Sequence, residues 1–550
     1  MNHGYSSIEV SLEAGDGLEG YQTKIENRPR YSSCRLIFFS LVAVISISIS
    51  FYYQFLGQLK LFDGISMTIP FESIIHPMVP SSYWGTVVAP YPTGAFWTNL
   101  VVDNGEGQIN SPASVLPYGV GATVAGVQVS YGATRRVVTQ LAITDAFAVD
   151  MQLGSIETVE NWSVSKYDNL SVAMQFNTEN GGGFTNYLVK SSPYVTVQYD
   201  NATPVISSDV MLFSSVEGQL VDGKIGTFYI ITLGNAQNWL LYCSVPVSFT
   251  LRGNSLIAPA PISGVVRIAF LPGQNLMPSF SMLAEYVECY PTSAEVSITY
   301  NSDVTATVSF TYITEGPGQL LMLALPHHMD VIALPKDDDS ADLLSTYSPV
   351  YSMKGQMTPI VGKTWNLIYD LLSPSWNYVV QEELSISQLN SIAFALQLDV
   401  NSSLPDATDP YDFGKQIARL ARLACIADYL GIPDSKSVAI SNLEEALTPW
   451  LLATNSDPLV YDLTYGGIVS SQGIENSAND YGNGWYNDHH FHYGYFVYAF
   501  AALARFDPGY LTQYRSAMDS IMRDICTTTS TDPNFPFARY PEPDIVSNPN

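Results

Sequence analysis

The chain has 550 residues, with 51 acidic against 23 basic side chains and a formal net charge of −28. That length is enough for two to four domains, since single cores rarely grow past about 250–300 residues, and the charge excludes nucleic acid and anionic lipid headgroups as partners. Only 13% of residues are charged while 12% are aromatic, with Tyr at 35, a balance suited to surfaces that face a neutral polar ligand such as carbohydrate.

Residues 1–35 read as a cytoplasmic tail. The run LIFFSLVAVISISISFYY, Leu36 to Tyr53, has no charge and no proline over eighteen residues, about the minimum for a helix that crosses a bilayer; the transmembrane segment is assigned to residues 36–56. Lys24, Arg28, Arg30 and Arg35 precede it and only Lys60 follows soon after. The positive-inside bias therefore makes it a single-pass type II signal-anchor, with the rest of the chain extracellular or luminal. The alternative is a signal peptide and a secreted protein, against which stand the long leader and the lack of a clear cleavage site. Four sequons, at Asn161, Asn169, Asn201 and Asn401, are glycan acceptors if the chain is exported. Cys243, Cys289, Cys425 and Cys526 are too scattered for a disulfide framework, although one bridge is allowed.

Residues 60–315 show period-two alternation broken by turn residues and predict an antiparallel β-sandwich. In VTATVSFTY, Val304, Ala306, Val308, Phe310 and Tyr312 alternate with Thr and Ser, and VSITY before it completes a hairpin turning at Asn301-Ser-Asp. Residues 316–383 read as a small mixed α/β connector, where His327 and His328 end an apolar strand and suit a structural, hydrogen-bonded role. From residue 384 the period becomes helical: ISQLNSIAFALQLDV, YDFGKQIARLARLACIADYLG, SKSVAISNLEEALTPWLLA, FHYGYFVYAFAALARF and GYLTQYRSAMDSIMRDI, with Gly431 and Pro433 ending the second. Such helix pairs suggest an α/α toroid with a groove at one end, and about five of its helices are visible in residues 384–550. The fold class expected is thus multidomain β + α, preceded by one transmembrane helix.

The stretch NDHHFHYGYF at 487–496 concentrates the chemistry. Asp488 stands at the start of a helix, where an N-cap role is the plain reading. It is also four residues from His492, on one helical face, with Tyr493, Tyr486 and Trp485 nearby. Aromatic planes stack on pyranose rings while His, Asp and Asn bond their hydroxyls, so the cluster also suits sugar. A zinc or iron site fits less well. His489 and His490 are adjacent and point about 100° apart on a helix, and no HExxH spacing is present; no metal and no cofactor is expected.

YNDHHFHYGYFVYAFAALA, together with LVYDLTYGGIVSS, YDFGKQIARLARLACIADYLG, ALPHH, YSMKGQM and PYPTGAFWTNLVV, closely resembles glycoside hydrolase family 81, the endo-β-1,3-glucanases, from about residue 70 to 540. The resemblance implies a β-sandwich, a small mixed domain and an (α/α)6 barrel. It further implies inverting hydrolysis of internal β-1,3-glucosidic bonds without a metal cofactor. Asp488 falls on the family's general acid, and His492 on its partner in substrate binding. Tyr411 and Lys415 fall on further glucan-contacting positions, beside which Tyr486 and Tyr493 offer aromatic faces.

The chain departs from the family's pattern near its end. The segment FPFARY should lead to a helix bearing a glutamate pair that includes the general base, but the sequence continues as PEPDIVSNPN, where Glu542 is the only Glu after Asp488. The barrel is therefore expected to be incomplete, with apolar helix faces exposed, as in a C-terminally truncated gene product. Three readings stand: an endo-1,3-β-glucanase whose base is missing from this chain, a catalytically inactive β-1,3-glucan-binding surface protein, and a metal-dependent hydrolase.

Overall fold

The structure is a computed structural model that describes residues 65–102, 111–209, 212–221, 223–333, 348–371, 384–476, 478–526 and 532–537. All elements named below belong to the unit Ser66–Asn550. Among the described residues no helix is long and apolar enough to cross a membrane; the tail, the apolar run at 36–56 and Glu542 lie outside them.

Two antiparallel sheets share one core. The larger has eight strands in the order Phe213–Val221, Lys224–Leu233, Asn238–Cys243, Ile262–Leu271, Val195–Ala202, Gly183–Val189, Ser171–Thr178 and Val159–Tyr167. The smaller has seven, from Thr250–Arg252 through Ser255–Ile257, Pro204–Ser207, Met151–Ser155, Gly126–Ser130 and Gly119–Thr123 to Ala113–Ser114. Val120, Val129 and Leu153 of the smaller sheet join Phe176, Val197, Leu241 and Ile268 of the larger in that core. Strand Asn238–Cys243 reads as an unbroken apolar run because it is covered on both faces. Trp239 and Leu241 enter the core between the sheets, while Leu240 and Tyr242 meet helix α1, Met277–Tyr286, on the outside.

The expected hairpin forms, with Tyr290–Tyr300 against Thr305–Glu315, but it pairs with neither sandwich sheet. Its partner is Thr364–Asp370, in the register Val308↔Leu367 and Phe310↔Trp365. This pairing buries Trp365 with Tyr312 and Ala294 in a separate core. The hairpin placed in the sandwich by its alternation thus packs with the connector. Beside it, Leu321–Ala324, Gly355–Val361 and Val350–Ser352 form another small sheet. His328 is structural as expected: its Nδ1 accepts the Leu325 N–H at 3.3 Å, and its ring lies edge-on to Trp365.

The helical part holds α2 (Ile386–Val400), α3 (Pro410–Leu430), α4 (Pro433–Leu451), α5 (His489–Phe506) and α6 (Arg515–Ile525), with short turns between them. Asp409 starts α3 by accepting the N–H groups of Tyr411 and Asp412, and Gly431 ends it in the left-handed conformation, φ 68°. Gly414 lets α3 approach α5 closely, for a Cβ there would stand 3.0 Å from the Tyr495 Cβ and 3.2 Å from the His492 carbonyl oxygen. On α2, Ile386, Phe394 and Leu398 are exposed, and only Leu396 and Val400 are buried. Cys243, Cys289, Cys425 and Cys526 are all free, so no bridge links these four.

Candidate active site

The acid-bearing loop before α5 is held by buried polar groups. A hairpin, Leu459–Asp462 with Gly467–Ser470, takes the early strand Ser73–Ile74 as a parallel neighbour. Asp480, wholly buried, accepts the Ser470 hydroxyl at 2.6 Å and the N–H groups of Gly484 and Gly482 at 2.6 and 3.0 Å. Burial pushes its carboxyl above the usual range, against the pull of these bonds. Asp462, also buried, accepts the Thr464 N–H at 2.7 Å and the Tyr486 hydroxyl at 2.6 Å. His489 stands between two acceptors, with Nδ1 2.6 Å from the Asp524 carboxylate and Nε2 2.8 Å from the Asn483 carbonyl.

Asp488 occupies the N-cap position of α5 without capping it. Its backbone is left-handed, φ 52° and ψ 28°, and its side chain accepts none of the first-turn N–H groups. A capping side chain needs an extended backbone to fold back over the helix end, so the plain cap reading is corrected. Among the described residues the exposed carboxylate accepts only the Asn487 amide, at 3.2 Å. Left-handed backbone at a non-glycine residue costs on the order of 1 kcal/mol or more and persists where the surroundings impose it. Tyr481 (φ 56°) and Tyr486 (φ 67°) share that conformation in the same loop.

An aromatic wall is linked to the acid through Asn487, whose amide also donates to the Tyr481 carbonyl at 3.1 Å. Tyr411 lies near Tyr481 (ring centroids 4.9 Å apart), is stacked with Phe491 (5.5 Å, 27°), and has Tyr495 beyond. Phe491 and Tyr481 are each 55% exposed, which leaves flat apolar ring faces open to a ligand. The Lys415 ammonium sits 4.3 Å over the Tyr411 ring and 2.7 Å from Asp412. That bond to Lys415 holds the Asp412 carboxyl below its ordinary range. Behind the wall, His492 is 1% exposed and its ring lies 5.4 Å from that of Tyr411. Burial, with a smaller push from His489, lowers its pKa to about 4, so it is a neutral imidazole whose Nδ1 accepts the Asn483 amide at 3.3 Å.

The structure thus brings Tyr411, Lys415 and His492 together, and ties Asp488 to this group through the Asn487 amide, which bonds both the Asp488 carboxylate and the carbonyl of Tyr481. Tyr486 is half-buried, its hydroxyl held by Asp462 and its ring stacked on His489 at 5.0 Å. Tyr493 offers no face to a sugar: it is wholly buried, and its hydroxyl donates to the Ile468 carbonyl at 2.8 Å and lies 3.1 Å from the Asn483 side-chain oxygen. That correction follows from its place on α5, one residue past His492 and turned into the core. His489 and His492 both meet Asn483, through its carbonyl and its side-chain amide respectively, while His489 Nδ1 faces Asp524, and among the described residues no three His, Cys, Asp or Glu side chains group as metal ligands. Phe491, Tyr481 and Asp412 were not singled out from the sequence. Phe491 lies three residues past Asp488, a helical spacing that could have indicated it, whereas nothing local marks Tyr481 or Asp412.

The model of the glycosyl hydrolase family 81 N-terminal domain matches residues 76–379, and that of the C-terminal domain matches residues 383–542. The chain belongs to glycoside hydrolase family 81. It is 29% identical over 484 residues to a glucan endo-1,3-beta-D-glucosidase of Glycine max, covering 85% of this chain and 68% of that one. A protein of the same name from Arthroderma benhamiae is 30% identical over 372 residues, 64% of this chain and 40% of that one. The solved family 81 structure from Clostridium thermocellum superposes with a TM-score of 0.68 at 22% identity, over 85% of this chain and 64% of that one. The chain therefore spans between two fifths and about two thirds of these relatives' length.

Proposed function

We propose that this protein hydrolyses internal β-1,3-glucosidic bonds of a glucan with inversion, and that Asp488 is its general acid. Inversion requires an acid that protonates the leaving oxygen while a carboxylate base, roughly 6.5–9.5 Å away, activates water on the opposite face. The observation that carries the reading is the left-handed, uncapped backbone of Asp488, which leaves its carboxylate exposed and joined through the Asn487 amide to Tyr481 of the wall that Tyr411 and Phe491 complete. The names of the relatives from Glycine max and Arthroderma benhamiae support the same substrate. Glucose rings stack on the wall, Lys415 bonds hydroxyls, and His492 supports Tyr411 from behind. The reading covers the acid half of the reaction, and no described residue is assigned as base. Outside the site, the apolar run at 36–56 is read as a type II anchor, and the exposure of Asn161, Asn169, Asn201 and Asn401 is compatible with glycans on an exported chain.

Reducing-end release from laminarin tests the assignment. Asp488→Asn should lower kcat by about 10²- to 10⁴-fold while binding of laminari-oligosaccharides stays within about threefold. Hydrolysis that survives the substitution removes Asp488 as the acid. Wild-type binding with no release that depends on Asp488 would turn the reading to a glucan-binding protein.

A further inference from the structure

His76 and Asp488 are remote in sequence but act on the same short piece of backbone. His76 follows strand Ser73–Ile74 and is 2% exposed. Its Nδ1 accepts the Met78 N–H at 3.0 Å, so the ring hydrogen belongs on Nε2, which donates to the Gly484 carbonyl at 2.7 Å. The ring is wedged edge-on against Tyr465 and Trp485, with centroids 5.5 and 5.4 Å away. Its own N–H donates to Asp462 at 3.2 Å, and Asp462 in turn accepts the Tyr486 hydroxyl.

Gly484 has little room to move. Its N–H is taken by Asp480, and a Cβ added to it would stand 2.2 Å from the Gly473 carbonyl carbon. Two residues later Tyr486 turns left-handed, and two after that so does Asp488. A carbonyl that rotates at Gly484 therefore rotates the turn that aims the carboxylate.

We propose that His76 is a positioning residue for Asp488, its Nε2–H locking the Gly484 carbonyl and with it the left-handed turn that carries the acid. The inference rests on the reading of Asp488 as the acid. Imidazole suits the task because it accepts at one nitrogen and donates at the other, on opposite sides of one ring. A glutamine amide has the same pair of functions at similar separation. Phenylalanine keeps the ring in its aromatic setting and deletes both bonds.

The test compares His76→Phe and His76→Gln with wild type, on the full chain. Hydrogen exchange is followed at the amides of residues 482–488 and of α5, and kcat and KM are measured on laminarin. His76→Phe should speed exchange at 482–488 at least about tenfold without changing the amides of residues 497–506. It should lower kcat about 10- to 100-fold, as a misplacement near 1 Å does, with KM within about twofold. His76→Gln should restore both to within about threefold of wild type. Unchanged exchange at 482–488 in His76→Phe, faster exchange spread along the whole of α5, or equal loss of kcat in both variants would overturn the proposal. If wild type hydrolyses laminarin and Asp488→Asn does so equally well, the assignment of the acid fails, and the exchange pattern alone, which needs no turnover, still decides whether His76 holds the turn. Should His76→Phe not fold, His76→Gln decides: a wild-type loop and kcat support the proposal, and a loosened loop refutes it.

Discussion

Acidification should weaken this protein specifically through His492. Burial holds the imidazole at a pKa of about 4 against an ordinary value of 6.5, so between these values the unfolded chain binds a proton that the folded one rejects. Stability linked to His492 is therefore complete above about pH 6.5 and is lost as the pH falls toward 4. The gap corresponds to roughly 3 kcal/mol. The measurement is the free energy of urea unfolding of wild type minus that of His492→Gln, followed from pH 7 to pH 4. Taking the difference cancels the other titrating groups that the two proteins share. Wild type should lead at pH 7, where its ring fills the space behind Tyr411 and accepts the Asn483 amide, and its lead should shrink by about 3 kcal/mol by pH 4. A lead that stays constant within about 0.5 kcal/mol would mean that water or a partner stabilises the protonated ring, and the account of a dry, neutral His492 would be wrong.

Other consequences can be checked alongside. Tyr493→Phe deletes a buried hydroxyl and strands the Ile468 carbonyl, so it should cost about 1–3 kcal/mol in unfolding free energy and leave KM for laminarin unchanged; a raised KM at unchanged stability would restore Tyr493 as a sugar contact. Tyr411→Ala removes the centre of the aromatic wall and should weaken laminari-oligosaccharide binding about tenfold or more, seen by calorimetry, and binding within twofold of wild type would place the glucan elsewhere. Expression in a eukaryotic secretory host should give a protein that loses mass on treatment with an N-glycosidase. Asn→Gln changes at positions 161, 169, 201 and 401 should each remove one step, and a chain whose mass is untouched by the enzyme would count against export.

The sequence reached the fold more fully than the site, for physical reasons that particular residues show. Period-two alternation identifies a strand but not its partner, and so VTATVSFTY was legible as half of a hairpin while its pairing with Thr364–Asp370, more than fifty residues later, was not. Helix α3 was legible because its period and its terminal Gly431 are local signals. At the site, the rule that residues four apart share a helical face failed for Asp488 and His492. Asp488 is left-handed and its side chain leaves the helix, whereas His492 lies fully within α5 and is buried. Tyr493 misled because a tyrosine's two habits, an exposed stacking face and a buried, hydrogen-bonded ring, have the same letter. His76 was invisible altogether, since its bond to Gly484 spans 408 residues.

The loop before α5 also explains why so many buried polar groups collect in one place. Tyr481, Tyr486 and Asp488 all have positive φ, a conformation that each would leave if the backbone were free. Apolar packing alone cannot hold such a loop, because it does not specify the direction of a carbonyl or an N–H. Directional bonds in a dry setting can, and here Asp480 takes two N–H groups while His76 and His489 each take one carbonyl. An unmade bond in that setting costs about 1–3 kcal/mol, comparable with the strain at one left-handed residue. Relaxing any one of the three would therefore orphan a buried group, and the strained conformation remains the lower in free energy. The clamp faces the protein interior and the carboxylate of Asp488 faces out, so the loop can be rigid at its root while its acid stays accessible.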